Sequence, residues 1–421
     1  MQVQLSYGRT GLTVEVPEDS VVILPTELDG LPDERQAVSD ALAEPLSGPS
    51  LEQLALGAKR VVVVFPDLTR PMPNRTVLPP LLGELERCGI PDRSITLLCA
   101  TGTHRQATRS EMEELVGAEI VARYAIIDHN SDSPDHLSVG AVDGVEIRLL
   151  RQYVEADLRI ITGFVEPHFF AGFSGGPKAV CPGLAATDTI LEAHHPRRIA
   201  DPRSTFVTRE GNPVHDFVRS AVNLAPPDLS VDVTINRSRQ VTAVFAGPMT
   251  VAHDAACAFA QISSTKIVDA PFDVVVSTNG GYPLDRNLYQ AVKGMAAAER
   301  IVTDGGTIVM AAECKDGVPG GGAFAEVLMA AESAEDLINA QNGAELDRWQ
   351  AQVMGRVLQR AQVWFYSDGL TRDLTEEALL RPIGNVSAAV AEALAHHGEG
   401  ARVALLPEGP LTVATVTGSA Q

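Results

Sequence analysis

Short β-branched runs alternate along the chain with amphipathic stretches and Gly- or Pro-bearing loops. RVVVVFPD (60–67), SITLLCATGTHR (94–105) and DLRIITGFVEPHFF (157–170) each open as a continuous apolar run and close in a polar loop. Unbroken apolarity over so few residues marks a strand buried on both faces, as in a parallel sheet. A helix is expected from Asn74 to Cys88, stopped by Gly89 and Pro91, and a Glu-rich helix after Arg105. Ahead of them, LTVEVP and SVVIL read as two short strands around a turn.

A second series begins near residue 270. FDVVVSTNGGYP is strand then loop, followed by a helix over about 286–299. GGTIVMAAECKDG, QVWFYSDG and RVALLPEGP are further strands, and SAEDLINAQNG, capped by Ser333, is a helix between them. The pattern predicts an α/β fold of two α/β domains with largely parallel sheets. The N-terminal domain is expected over residues 1–268 and the C-terminal one over 269–421, with the active site in the cleft between them.

Charge narrows the function. Asp and Glu number 54 against 33 Lys and Arg, a net charge of −21, which argues against nucleic acid and anionic membranes as partners. A small anion would still need a local basic pocket. No stretch reaches the ~20 apolar residues of a membrane helix, and the first residues show no signal-peptide pattern. Cys88, Cys99, Cys181, Cys257 and Cys314 are widely spaced without C-x-x-C, as expected for free thiols in a reducing cytoplasm and not for a cysteine zinc site.

Ligands of open α/β sheets bind beyond the carboxyl ends of the strands. Those loops carry Asp67, Thr69 and Arg70, then Gly102-Thr103-His104, then Glu166-Pro167-His168 with Gly175-Gly176-Pro177-Lys178 behind. His194 and His195 follow; in the second series Asn279-Gly280-Gly281 leads to Tyr289-Gln290 and Lys293. Each also has a plainer reading. Asp67 could cap the next helix, His168 could pack between aromatic neighbours, and Lys178 could be a surface lysine. His129, His136, His253, His396 and His397 read as solvated or structural, His215 as structural, and Gly317–Gly322 as a flexible turn. Gly175-Gly176-Pro177-Lys178 departs from the P-loop pattern, so nucleoside triphosphate hydrolysis is disfavoured. The residues alone indicate a small anionic ligand with histidine acid–base chemistry, the reaction left open.

The ordered set Asp67-x-Thr69-Arg70-Pro71, Gly102-Thr103-His104, Pro167-His168-x-x-Ala171-Gly172-x-Ser174-Gly175-Gly176-x-Lys178, His194 and Tyr289-Gln290-x-x-Lys293 resembles the lactate racemase family, across both domains. The resemblance implies a nickel-pincer nucleotide, a pyridinium mononucleotide with two sulfur arms, joined covalently to Lys178. It implies His194 as the nickel ligand, with His195 as the adjacent alternative; Ala193 stands where the family often has Asn. Asp67, Thr69, Gly175 and Gly176 would serve the cofactor side. Arg70, Gln290, Lys293 and Trp349 would hold substrate, while Trp364 reads as core. The implied reaction inverts the carbinol carbon of a 2-hydroxy acid by proton-coupled hydride transfer through a 2-oxo acid. His104 and His168 would be the two bases that inversion requires. Cofactor-maturation enzymes would be partners, and the chain made without them would be apo. The alternative is a cofactor-free relative that binds small anions.

Overall fold

The VVVVFP run shows why the chain folds as it does. In the computed structural model, which describes residues 1–320, 322–339 and 345–418, the strand Val61–Pro66 lies inside a six-stranded sheet. Val61, Val63 and Phe65 join one apolar core, while Val62 and Val64 join another on the opposite face. Side chains alternate across a strand, so a strand covered on both faces needs apolar residues at every position. The sheet order is Val241–Gly247, Leu229–Ile235, Leu158–Phe164, Val61–Pro66, Ile95–Ala100 and Ala125–Asp128. Only Val241–Gly247, at an edge, runs antiparallel to its neighbour.

The helix Asn74–Arg87 covers one face, burying Val77, Leu78, Leu81, Leu82 and Leu85. Pro79 and Pro80 lie inside it. Pro79 has no N–H for the carbonyl of Arg75, and Arg35 Nη2 donates to that oxygen instead, at 3.1 Å.

The second sheet runs Arg381–Pro382, Ala361–Tyr366, Val302–Ala311, Phe272–Thr278, Val403–Leu406 and Val21–Val22, with every pair parallel. Its first strand in the chain is the SVVIL segment, shortened to Val21–Val22, which pairs with Ala404 and Leu405. The expected helices appear as Leu288–Glu299 and Ala334–Asn339, and the Ser333 hydroxyl accepts the Asp336 amide as a cap. Residues 340–343 of the latter segment, and Gly321 of the expected 317–322 turn, lie outside the described residues.

Two compact units result, and they differ from a single cut at 268/269. One, the N-terminal unit, comprises Glu27–Ala193 and Val207–Ser263. The other, the C-terminal unit, takes Met1–Thr26, His194–Phe206 and the chain from Ser264 onward. The pairing of Val21–Val22 with Ala404 and Leu405, and a core shared by Leu5, Tyr7, Val14 and Val16 with Val274, Val276 and Leu405, draw in the first 26 residues. Side-chain bonds draw in the middle segment: Gln352 Nε2 donates to Pro196 O at 3.0 Å, and Arg300 Nη1 to Thr205 Oγ1 at 2.9 Å. No helix among the described residues is long and apolar enough to cross a membrane.

Candidate active site

In the N-terminal unit, strands Leu158–Phe164, Val61–Pro66 and Ile95–Ala100 are adjacent and parallel, so their following loops share one end of the sheet. Asp67 sits at that end, buried. Its Oδ2 lies 2.8 Å from His104 Nδ1, and its Oδ1 accepts the Thr69 hydroxyl at 2.7 Å and the Thr69 amide at 3.2 Å. Arg70 Nη1 donates to the carbonyl and the hydroxyl oxygen of Thr69, at 3.3 and 3.2 Å. The helix-cap reading of Asp67 fails, because the next helix starts at Asn74 and its N-cap residue is Pro73, with no side-chain cap.

Burial alone would raise the Asp67 carboxyl. The hydrogen bond and charge of His104, the Thr69 hydroxyl and the Arg70 charge outweigh it and hold the group below its ordinary value. Asp67 is therefore ionised near neutrality and can only accept. His104 must donate Nδ1–H, which leaves the lone pair on Nε2. The His104 side chain is 47% exposed, so this dyad opens to solvent.

A residue that sequence reasoning missed closes the His104 loop. Asp128, at the end of strand Ala125–Asp128, accepts the Thr101 hydroxyl on Oδ1 and the Ala107 amide on Oδ2, both at 2.5 Å. Its carbonyl accepts Gln106 Nε2 at 2.8 Å. The loop is thus held at both ends by one carboxylate. A charge terminating the apolar run AIID was the available signal.

His168 lies in a two-residue strand paired with Gly172–Phe173. Its ring stacks on Phe169 at 4.9 Å and meets Phe170 edge-on at 4.6 Å, so the aromatic packing is real. His168 Nδ1 accepts the Ala171 amide at 3.3 Å, so the neutral ring carries its proton on Nε2. Lys178 follows Gly175 (φ 75°) and Gly176 (φ 49°), both left-handed, in the 3-10 turn Gly176–Ala179. It is half-buried, with Nζ 5.7 Å from the centre of the Phe170 ring. Phe170 thus contacts both His168 and Lys178. Gly183 N donates to Lys178 O at 3.1 Å and Gly102 N to Gly183 O at 3.0 Å, tying the lysine turn to the His104 loop.

The C-terminal unit gathers the second group of candidates. Gln290 and Lys293, three apart on helix Leu288–Glu299, are bonded to each other, Lys293 Nζ donating to Gln290 Oε1 at 2.6 Å. Trp349, on helix Arg348–Arg360, is buried; its Nε1–H donates to Tyr289 Oη at 3.1 Å. Its ring stacks on His194 at 4.4 Å. Tyr289, given no role from sequence, is the link between the tryptophan and the Gln290 helix; Gln350 Nε2 also donates to its carbonyl at 2.6 Å. His195 is a helix cap, its Nδ1 accepting the Arg197 amide at 3.2 Å. Trp364 is core, 2% exposed in strand Ala361–Tyr366.

Three histidines read as solvated or structural are buried. His129 and His136 meet Nε2 to Nε2 at 3.0 Å, and burial beside His136 pulls His129 down to about 4. His253 donates through Nε2 to Ser174 O at 2.9 Å. The five cysteines are unpaired, and burial pushes the Cys181 thiol up to about 12.

The fold and these side chains define an α/β protein with two histidines beyond its parallel strands, a guanidinium bonded to Thr69, and a lysine on a glycine turn. The lactate racemase N-terminal domain family matches residues 7–206 and the lactate racemase C-terminal domain family matches 267–414. Lactate racemase of Lactiplantibacillus plantarum is 34% identical over 97% of this chain and 98% of its own. That of Thermoanaerobacterium thermosaccharolyticum is 32% identical over 97% of both. The structure of the lactate racemase apoprotein from the latter organism superimposes with a TM-score of 0.91 at 32% identity, covering 98% of this chain and 100% of that one. A Thermotoga maritima protein, 18% identical with a TM-score of 0.68 over 93% of this chain and 100% of its own, shares the fold. The chain belongs to the lactate racemase family and is an enzyme of the isomerase class.

Proposed function

We propose that the protein interconverts the enantiomers of a small 2-hydroxy acid, lactate or a close relative. The observation that carries this is the Asp67–His104 pair beside Arg70: a base with its tautomer fixed, next to a guanidinium with its plane set by Thr69. Arg70 grips the substrate carboxylate by two parallel hydrogen bonds. His104 Nε2 takes the hydroxyl proton. His168 serves the opposite face through Nε2, giving a proton to the oxygen of the planar 2-oxo acid as imidazolium and taking one from the other enantiomer's hydroxyl as neutral imidazole with its proton on Nδ1, the 3.3 Å contact with the Ala171 amide giving way. Gln290 and Lys293 add polar contacts to the substrate, and Trp349 adds an apolar wall.

The residues fit a lysine-tethered nickel-pincer nucleotide. Among the described residues no group of three or more His, Cys, Asp or Glu side chains could hold a metal, so nickel here would need donors from the cofactor itself. Lys178 would offer its primary amine from the turn Gly176–Ala179, His194 would be the imidazole ligand, and Asp67, Thr69, Gly175 and Gly176 would serve the cofactor side. When bound, that group supplies the acceptor and donor for the carbinol hydride. The protein depends on cofactor-maturation enzymes, and the cytoplasm is its expected compartment.

The test is a chiral assay of the matured protein on D- and L-2-hydroxy acids, lactate included. Racemisation in both directions from either lactate enantiomer is expected. Retention of configuration with measurable binding would overturn the reading in favour of a small-anion binding protein.

A further inference from the structure

The turn that carries Lys178 is held from beneath by two buried side chains. Strands Leu158–Phe164 and Leu229–Ile235 pair in parallel with Asp232 opposite Gly163. A Cβ on Gly163 would lie 2.3 Å from Asp232 Oδ1 and 3.0 Å from both Gly175 Cα and Gly176 N. The missing side chain is therefore the space into which the turn and the carboxylate close. Asp232 is fully buried; Oδ1 accepts the Gly176 amide at 2.8 Å and Oδ2 the Ser230 hydroxyl at 2.7 Å. From helix Met249–Ser264, His253 reaches the carbonyl of Ser174, and a Cβ on Gly176 would lie 2.4 Å from its Cγ. The two anchors bracket Gly175, whose left-handed backbone starts the turn.

Burying a carboxylate is costly unless its hydrogen bonds are made. Here one oxygen is spent on a backbone amide two residues before Lys178, and the imidazole on the carbonyl four residues before it. Both contacts are made to the backbone of the turn, and through it they act on the lysine it carries.

We propose that Asp232 and His253 are positioning residues that lock the Ser174–Lys178 turn and so aim the Lys178 amine for cofactor attachment. The inference rests on the role given to Lys178 above. Two measurements on the full-length chain test it. Amide hydrogen exchange over residues 174–180 reads the turn, and acylation by a water-soluble N-hydroxysuccinimide ester, mapped by peptide mass spectrometry, reads Lys178 against the exposed Lys59. In Asp232→Ala, exchange over 174–180 should rise about 10–100-fold, the worth of a hydrogen bond to a charged group. Acylation of Lys178 should move towards the Lys59 rate, while strand Val61–Pro66 keeps its protection. Asp232→Asn keeps an acceptor at Oδ1 and should restore both readouts most of the way. His253→Gln keeps a donor and should stay nearer wild type than His253→Ala. Wild-type exchange and acylation in Asp232→Ala would overturn the anchor. So would a loss of protection spread evenly over the chain, which marks general stability only. The reading of Lys178 fails separately: an adduct in the intact mass of matured Lys178→Ala refutes it, whatever the Asp232 variants show.

Discussion

Replacing Asp67 with Asn tests the dyad with little change of shape. The backbone amide and hydroxyl of Thr69 both donate to Oδ1, so the Asn carbonyl must keep that side. The Asn NH₂ then faces His104 Nδ1, where the carboxylate Oδ2 now accepts at 2.8 Å. A donor there forces Nδ1 to accept, and the imidazole proton moves to Nε2, the atom required as base. Loss of a general base lowers rate by ~10²–10⁴, and a tautomer-reversing Asn in place of an orienting carboxylate reaches the upper end. Stability should fall far less, by about 1–2 kcal/mol, since one hydrogen bond to a charged group is exchanged for a neutral one. The pH dependence has a definite sign. The folded Asp67 carboxyl is held below its unfolded value, so its stabilisation is complete above about pH 4 and is lost as pH falls through the folded value. Asp67→Asn should remove that portion of the acid limb. The assay pairs lactate racemisation by chiral chromatography with nitrogen-15 shifts of the His104 ring. Turnover within about 3-fold of wild type, below any general-base contribution, would refute the argument.

Arg70→Lys should lower kcat/KM for lactate by about 10–100-fold, because a point charge replaces a two-pronged grip; unchanged kinetics would remove Arg70 from carboxylate binding. Lys178→Ala, matured with the cofactor enzymes, should show the unmodified intact mass, since its methyl side chain offers no amine on the Gly175-Gly176 turn. Trp349→Ala strips a stacked ring from His194, an interaction worth about 0.5–1.5 kcal/mol, and should lower nickel retained after gel filtration. Equal retention would separate the stack from metal binding. His104→Ala and His168→Ala should each lose racemisation in both directions by ~10²–10⁴, yet each should still release trappable 2-oxo acid from one enantiomer, the two variants preferring opposite ones. Equal oxo acid from both enantiomers in either variant would sink the two-base assignment.

The sheets were legible where burial on both faces forces a run of apolar residues. Val61–Pro66, Ile95–Ala100, Leu158–Phe164 and Phe272–Thr278 all read that way. The strand Gln2–Leu5 did not, because it pairs only with Leu12–Glu15 and alternates polar with apolar over four residues. The membership of His194–Phe206 was equally hidden. No composition change marks its ends, and what joins it to the C-terminal unit is a few side-chain bonds from residues about 100–150 positions away.

The same physics divides the candidate site into a legible and a silent part. Asp67, Thr69, Arg70 and His104 stand in loops after strands, where a polar residue has no packing reason to be, so position exposed them, whereas Gln290, Lys293 and Trp349 lie on helices. Asp128, Asp232 and His253 act mainly on backbone groups: a loop closed through the Thr101 hydroxyl and the Ala107 amide, a turn gripped at the Ser174 carbonyl and the Gly176 amide. A backbone amide looks alike in every sequence, so its partner creates no motif. What such partners do leave is a misfit. Asp232 interrupts the apolar run LSVDVTI, and His253 sits in the small-residue helix that continues as AACAFA. A charged or polar residue inside an apolar element is costly unless something requires it, and here that something is a neighbouring turn. Searching buried elements for that misfit, and then for the glycines that must make room for it, as Gly163 does, reaches the support of the site as directly as motifs reach its reactive groups.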